Sequence, residues 1–425
     1  MRPGVATEAM LAAAIAAAFS VWSLVIQSPA SVIVWDAVQY LMMAGQLAAG
    51  QVVAAEAPYV YRLGTPWLVA QFWPDDPMRG YFLINTVCAC AIAVALTVWL
   101  RQGVERMAVR LGLVALYAAA WHGPIRYTHY NPAYVDPLFL LLVLAGLAVA
   151  STLRDEATPA KIALLTLLTI AGTLVRETML LVPVAALFVR NPLPLPGVDA
   201  DGGPRAFPVA VLIPIVAGVA ALTFTFAVVE ADTTRNYFAA AAQWIRKPPT
   251  SYLLAWFTAY GPVVAVLVFD WRAVARDLAT RQHLLAYLGM CTVLAYFGGS
   301  DTERFHFWAM PVVYLLLGRA VERRWPVLRG TMIAGGLVVV QAVASRVFWA
   351  IPDTNLEGPA LGDAPGIVAR LYGVVDRLLV IEHFHWNLWS SFGSQPFKLL
   401  RLGMYVGVTA CFVWAMSRRA RTVAA

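Results

Sequence analysis

Residues Trp35–Arg62, WDAVQYLMMAGQLAAGQVVAAEAPYVYR, follow the first apolar stretch of the chain directly. The part QYLMMAGQLAAG predicts a short helix with one apolar face and with Gly50 as its stop. A helix of this length cannot cross a bilayer and should lie in the membrane interface. Asp36 stands near its start, where the helix dipole favours a carboxylate, so a structural cap is one interpretation of this residue.

The composition is typical of a polytopic membrane protein. Of the 425 residues, 60% are hydrophobic and 13% are charged, whereas soluble domains carry about 25% charged residues. Apolar runs between charged and turn residues predict an all-α fold with about twelve transmembrane helices. The predicted spans lie near residues 7–27, 80–100, 107–121, 133–151, 161–175, 178–189, 207–229, 252–269, 283–298, 306–319, 330–350 and 399–416. Leu63–Phe72 is apolar but short, and it predicts a second interfacial helix.

The predicted topology depends on residues 161–190. They form either one span with Arg176 and Glu177 at its centre or two short spans with this pair at the turn. Charged residues at the centre of a bilayer are costly, which favours two short spans. More than half of the Lys and Arg residues then lie on one side, and the positive-inside rule places that side and both termini in the cytoplasm. The net charge of +7 is attributed to this topology, and we expect no nucleic-acid partner.

Several charged and polar residues of the predicted outer loops lie at or inside the apolar boundary. Such groups usually line a functional cavity or pair with one another. Pairing of Arg176 with Glu177 and of Arg304 with Glu303 are structural alternatives, and Asp136 and Asp301 can each be helix caps. The candidate site residues are Asp36, Glu56, Arg62, Arg126, His129, Asn131, Asp136, Arg176, Glu177, Asp301 and Arg304, together with Tyr40, Tyr59 and Tyr61.

These residue types suit one kind of chemistry. A carboxylate at the interface can act as a general base. Converging arginines can hold a phosphate through bidentate, permanently charged contacts, and aromatic rings offer flat faces to a sugar or a lipid chain. The set therefore predicts a lipid-phosphate substrate and a hydroxyl nucleophile.

Five blocks also carry a family resemblance. WDAVQYLMMAGQLAAG and PYVYRLGTPWL resemble the first outer loop of the GT-C glycosyltransferases, which take a sugar from a polyprenyl-phosphate donor. HYNPAYVDPLFLLL, TLVRETMLL and SDTERFHFWAMPVVYLL resemble later blocks of bacterial members, so the similarity covers roughly residues 30–320. It implies a GT-C-like transmembrane catalytic module at residues 1–330. Residues 331–425 would add C-terminal helices and a long outer loop at 351–398.

The resemblance also implies the roles of the site residues. In the family an acidic residue of the first outer loop is the catalytic base, which falls on Asp36, with Glu56 as a second candidate. Trp35 and Ala37 flank Asp36, so the paired acidic motif of the family is absent. No metal ligand is assigned, no cofactor is certain, and a divalent cation is left open.

Three arginines of these blocks would neutralise the donor phosphate. Arg62, Arg176 and Arg304 are assigned to this task, and His129 is either a further donor or an interfacial histidine bonded to the backbone. The substrate-binding candidates are Tyr40, Tyr59, Tyr61, Arg126, Asn131, Asp136, Glu177 and Asp301.

The expected protein is an inverting glycosyltransferase of the bacterial inner membrane. Its partners would be the lipid bilayer, a polyprenyl-phosphate sugar and a glycan or glycolipid acceptor bound on the non-cytoplasmic face. The alternatives are a transporter or flippase of lipid-linked glycans, and a glycan polymerase or ligase of the same pathway.

Overall fold

The computed structural model describes residues 3–26, 36–193, 209–231, 242, 245–299, 301–329, 331–348, 390 and 395–424. Most of these residues are helical. The helices, numbered along the chain, are α1 (Pro3–Ile26), α2 (Asp36–Ala48), α3 (Gly64–Phe72), α4 (Pro77–Leu100), α5 (Met107–Ala119), α6 (Pro124–Tyr130), α7 (Asp136–Thr152), α8 (Pro159–Val175), α9 (Leu181–Ala186), α10 (Leu212–Val228), α11 (Pro249–Tyr260), α12 (Val264–Phe269), α13 (Trp271–Ala279), α14 (Gln282–Phe297), α15 (Thr302–Phe307), α16 (Met310–Arg323), α17 (Trp325–Leu328), α18 (Met332–Ala344) and α19 (Gln395–Ala424). Short 3-10 turns cover Tyr59–Tyr61, Glu177–Leu180 and Val209–Val211.

Several helices have the length and composition of membrane spans. Within the described ranges, four segments qualify, and they are Gly4–Ile26, Pro77–Leu100, Val209–Val228 and Gln395–Val423. Shorter apolar helices lie at Asp136–Thr152, Pro159–Val175, Glu177–Ala186, Gln282–Phe297 and Met332–Ala344. Each of the predicted spans coincides with one or two helices, and how many of them cross a bilayer stays a prediction.

The segment between α1 and α4 contains the two short helices predicted there, α2 and α3, which pack on each other and on α4. A short strand, β1 (Val53–Ala55), pairs in parallel with β2 (Val229–Ala231), which follows α10. The ring of Tyr61 also meets Phe226 of α10 edge-on, with 4.3 Å between ring centroids. These contacts hold the segment that carries Arg62 against α10.

The chain reverses direction at Arg176. Helix α8 ends at Val175, and Arg176 has extended backbone with φ −160° and ψ 128°. The 3-10 turn Glu177–Leu180 then leads into α9. The interpretation of residues 161–190 as one continuous span is therefore wrong, because the charged pair lies at the tip of a helical hairpin.

The predicted span 252–269 is not one helix. It breaks between α11 and α12 at Gly261, whose φ of 74° suits glycine, and Pro262 follows with no N–H to donate. The side chain of Gln341 from α18 bonds both broken ends: its Oε1 accepts from the Val263 N–H (3.0 Å), and its Nε2 donates to the Tyr260 carbonyl (3.2 Å). Backbone breaks inside membrane proteins are stable when side chains satisfy the freed groups in this way.

Charged side chains gather at two opposite ends of the helical bundle. At the arginine-rich end, Arg319 of α16 pairs with Asp277 of α13 at 2.9 Å, and the nearby start of α14 bonds the end of α7 through His283 and Ser151. Asp136 begins α7 at the other end. Asp136 and Ser151 are 15 residues apart on this helix, which is about 22 Å at the helical rise per residue.

Candidate functional site

Arg304 of α15 lies at the centre of a buried group of charges. Its Nε donates to Asp136 Oδ2 at 3.0 Å, and its Nη1 donates to Asp301 Oδ2 at 2.9 Å. Its Nη2 lies 3.3 Å from Asp36 Oδ2. One guanidinium therefore joins carboxylates from α2, from α7 and from the residue that precedes α15.

Arg176, at the tip of the α8 hairpin, contacts the same group through the other carboxylate oxygen of Asp136. Its Nη1 pairs with Asp136 Oδ1, so Asp136 is shared between two arginines. The guanidinium also lies over the ring of Trp308, with 4.3 Å between Cζ and the ring centroid. Its Nε is buried and has no hydrogen-bond partner among the described residues. We call Asp36, Asp136, Arg176, Asp301 and Arg304 the ion cluster.

Asp36 is the first residue of α2 and is only 5% exposed. This position agrees with a role as a helix cap, because the dipole of the helix favours a carboxylate there. Its Oδ1, however, is buried without a hydrogen-bond partner within the described ranges, while Oδ2 faces Arg304. Asp36 thus keeps one acceptor oxygen available inside the ion cluster.

A second ion pair adjoins the cluster. Arg62 holds Glu177 through two parallel bonds, Nε to Oε2 at 2.9 Å and Nη2 to Oε1 at 2.7 Å. Its Nη1 donates to the Tyr40 hydroxyl at 2.9 Å. Burial alone would raise the pKa of the Glu177 carboxyl, but Arg62 holds it below its usual value. Arg62 also interacts electrostatically with Asp136 and Arg176.

A close backbone approach puts this pair beside the ion cluster. A Cβ atom on Gly64, the first residue of α3, would lie 2.8 Å from the Val175 side chain. Glycine therefore lets the start of α3 touch the end of α8 directly. Arg62 and Arg176, which flank this contact in sequence, are brought together as a result.

Of the three tyrosines predicted to bind substrate, two lie beside the ion cluster and one lies against α10. Tyr40 and Tyr59 meet edge-on with 5.9 Å between ring centroids, and Arg62 lies over the Tyr59 ring at 5.5 Å. Both rings therefore border the ion cluster. Tyr61 packs instead against Phe226 of α10.

Four predicted site residues make their described contacts elsewhere. His129 Nε2 bonds Ser20 Oγ of α1 at 2.9 Å rather than a backbone atom, and its Nδ1 is buried with no partner among the described residues. Arg126 Nη1 donates to the Ser345 carbonyl at 2.7 Å. Glu56 is half-buried after β1 and donates its backbone N–H to Gln39, and the Asn131 N–H donates to the Tyr127 carbonyl at 2.8 Å.

The two ion pairs predicted between adjacent residues, Arg176 with Glu177 and Arg304 with Glu303, are wrong. Arg176 bonds Asp136 rather than Glu177, which belongs to Arg62. Arg304 bonds three aspartates rather than Glu303, because adjacent residues of a helix point in different directions. Glu303 accepts instead from the backbone N–H and the hydroxyl of Ser390.

Three aromatic residues at the cluster were not among the predicted site residues. The Trp308 ring lies under the Arg176 guanidinium, and the centroid of the Tyr127 ring lies 5.4 Å from Arg304 Cζ. His122 is buried near Arg304 with both ring nitrogens lacking partners in the described part of the chain, and burial lowers its pKa to about 3. The spacing of Trp308, four residues after Arg304, was the available signal, since such residues share a helix face.

A metal ion does not fit this arrangement. The three aspartates converge, but the Arg304 guanidinium takes the central position that a divalent cation would need. Across the described ranges, no group of three or more His, Cys, Asp or Glu side chains is arranged to hold a metal.

The buried Glu303 predicts a pH-dependent stability. Burial raises its pKa from 4.5 to about 7, against the effect of the Ser390 hydrogen bonds. A carboxyl with a raised folded-state pKa stabilises the fold below its unfolded pKa, and this contribution is lost as the pH rises toward 7. We expect the unfolding temperature of the detergent-solubilised protein to fall between pH 5 and pH 7 for this reason, since 4.5 and about 7 bound the titration.

Glu303→Gln should remove this part of the pH dependence, because the amide stays neutral throughout. Glu156→Gln is the control, since Glu156 is exposed and its substitution should leave the profile unchanged. An equal slope for Glu303→Gln and the parent protein would contradict the prediction.

Comparisons with known proteins add no identification. Neither the family models nor the curated proteins searched match this chain.

Proposed function

We propose that this protein is a polytopic GT-C-like glycosyltransferase of the bacterial inner membrane that uses a polyprenyl-phosphate sugar. The observation that carries the proposal is the pair of unsatisfied atoms in the ion cluster. Asp36 Oδ1 is a buried acceptor and Arg176 Nε a buried donor, and both lack partners among the described residues. Unsatisfied buried polar atoms need an explanation in a native structure, and a substrate with a hydroxyl and a phosphate would satisfy both.

The proposed reaction is a single displacement at the anomeric carbon. Asp36 takes the proton of the acceptor hydroxyl while the hydroxyl oxygen forms a bond to that carbon. The bond between the anomeric carbon and the phosphate oxygen breaks, and polyprenyl phosphate leaves with the bonding electrons. One attack from the opposite face inverts the configuration at the anomeric carbon.

Arginines of the site would stabilise the departing phosphate. Negative charge grows on its oxygens as the bond breaks, and preorganised guanidinium groups in a dry site stabilise such charge strongly. Arg176 would offer its unpaired Nε, and Arg304 and Arg62 add positive charge nearby. The Tyr40 and Tyr59 rings would pack against the sugar or the lipid.

The distribution of charge supports a membrane orientation. The arginine-rich end carries Arg319, which the positive-inside rule places in the cytoplasm, and the ion cluster lies toward the other end of α7. The site would then face the non-cytoplasmic side, with both termini in the cytoplasm and about twelve spans in total.

Transport of a lipid-linked glycan is the second candidate function. The break at Gly261 favours it, since discontinuous helices are frequent in transporters. Gln341 closes that break, however, and among the described contacts it brings no ionisable group there.

The test is the release of polyprenyl phosphate by purified protein from a donor labelled in its lipid. Enzyme-dependent release with an acceptor present supports the proposal. Movement of the intact donor across vesicle membranes with no release would overturn it in favour of transport.

Arg176→Lys should weaken donor binding while the protein stays folded. Lysine keeps the charge facing Asp136 but lacks the Nε donor and the planar fork. A hydrogen bond to a charged group contributes about 1.5–3 kcal/mol, so we expect the donor KM to rise roughly 10- to 100-fold.

Arg101→Lys is the matched control for this variant. Arg101 pairs with Glu8, and its side chain is 31% exposed. An unchanged KM for Arg176→Lys would mean that Arg176 serves only to pair with Asp136.

A further inference from the structure

A large apolar cavity lies apart from the ion cluster. Its volume is about 530 Å³, within the range of about 300–1,000 Å³ usual for ligand pockets. Side chains of α5, α12, α16, α17 and α18 line it, and nearly all of them are apolar. Val338 of α18 is 69% exposed, so the cavity reaches the surface of the helical bundle there.

The cavity is as long as one membrane leaflet is deep. Its lining runs along α5 from Ala108 to Ala119 and along α18 from Ala334 to Ser345. Each stretch covers 11 residue steps, or about 16 Å at the helical rise. Half of a typical hydrocarbon core is about 15 Å. A single hydrocarbon chain aligned with the helices would fit these dimensions.

One end of the cavity carries positive charge. Arg329 lines it together with Trp325 of α17, and Arg106 lies over the Trp325 ring with 5.1 Å between Cζ and the centroid. Both arginines are exposed, and neither guanidinium pairs with a carboxylate in the part of the chain that the structure describes. The nearby Glu322 accepts a bond from the backbone N–H of Arg106.

Two other arginines of this end, Arg319 and Arg324, do pair with carboxylates. Arg319 pairs with Asp277, and Arg324 pairs with Asp270 at 2.6 Å. Among the arginines next to the cavity mouth, Arg106 and Arg329 are thus the two whose guanidinium groups have no carboxylate partner in the described part of the chain.

We propose that the cavity binds one acyl chain of an anionic phospholipid whose phosphate lies against Arg106 and Arg329. The apolar walls match the chain, and the two cations match the headgroup. The arginine-rich end would place this lipid in the cytoplasmic leaflet, where anionic lipids attract basic side chains. The headgroup end of this site lies opposite the ion cluster, and the proposal does not depend on the proposed transfer reaction.

Gly112→Leu tests the cavity directly. Gly112 lines it, and a Cβ at this position would meet no atom within 4 Å, so a leucine side chain can extend into the empty space. The change also favours the helix, since leucine has a higher helix propensity than glycine. Gly289→Leu is the control, because Gly289 is equally open but does not line the cavity.

The measurement is native mass spectrometry of the full chain in detergent, titrated with phosphatidylglycerol or phosphatidylcholine. We expect one tightly bound phosphatidylglycerol on the parent protein and on Gly289→Leu. On Gly112→Leu its apparent affinity should fall at least tenfold. The double variant Arg106→Gln, Arg329→Gln should bind the two lipids equally, because the charge preference is removed.

Three results would overturn the proposal. One is unchanged phosphatidylglycerol binding by Gly112→Leu. Another is an undiminished preference for phosphatidylglycerol in the double arginine variant. The third is competition in which a polyprenyl phosphate displaces the phospholipid from the parent but not from Gly112→Leu, since the cavity would then hold the isoprenoid chain.

Discussion

Asp36→Asn is expected to abolish sugar transfer in a protein that remains folded and still binds its donor. Asparagine keeps the shape of the side chain and caps a helix about as well as aspartate does. It cannot accept the proton of the acceptor hydroxyl. General-base catalysis typically contributes about 10²–10⁴-fold, so kcat should fall at least by this factor.

The assay is release of labelled polyprenyl phosphate, with donor binding measured separately on the same preparation. The cap interpretation of Asp36 predicts nearly normal turnover, so the two interpretations give opposite results. Glu56→Gln is the comparison, because Glu56 was the second candidate base, and it should lower turnover only mildly. Turnover by Asp36→Asn within a few-fold of the parent would remove Asp36 from the mechanism.

Arg304→Gln is expected to cause the largest loss of stability. The guanidinium holds Asp36, Asp136 and Asp301 together, and its side chain is only 7% exposed. Removing one partner of a buried ion pair typically costs about 3–5 kcal/mol, because the remaining charge stays buried without compensation. Asp36 then loses its described cationic partner while Arg176 still holds Asp136, so a loss within that range should appear in denaturant unfolding.

Arg323→Gln is the matched control for charge removal. Arg323 also bonds two aspartates, Asp270 and Asp277, but its side chain is 31% exposed and Arg324 continues to hold Asp270. Arg319 likewise continues to hold Asp277, so neither aspartate loses its last partner and this variant should be nearly as stable as the parent. Equal losses for Arg304→Gln and Arg323→Gln would show that the ion cluster does not stabilise the fold.

Helix positions were largely predictable from the sequence. Long apolar runs and their charged boundaries locate α1, α4 and α10, because the hydrophobicity of a run is a property of the local sequence. The reversal at Arg176 was also predictable, since two adjacent charges are costly inside a span. The break between α11 and α12 was not predicted, although Gly261 followed by Pro262 is a local signal for it. That Gln341, about 80 residues further along the chain, bonds both broken ends could not be read from the sequence.

The candidate site was predicted as a set of residue types but not as a set of contacts. Asp36, Asp136, Arg176 and Arg304 were each singled out because they stand at apolar boundaries, and the fold joins them. His129 satisfied the same criterion and bonds Ser20 of α1 instead. The position of a residue along an apolar run indicates how deep in the membrane the residue lies. It does not indicate which other helix packs against that residue.

The sequence by itself determined a helical protein with apolar segments long enough to span a membrane and charged residues at the ends of its apolar runs. These features follow from hydrophobicity and from the energetic cost of local charges. Only the tertiary structure decided that Arg304 joins three aspartates, that Glu177 belongs to Arg62, and that Asp36 keeps an unpaired oxygen among the described residues. Ion-pair partners are set by the packing of helices far apart in the chain, because a charge in a dry interior pairs with whichever opposite charge the fold brings within reach.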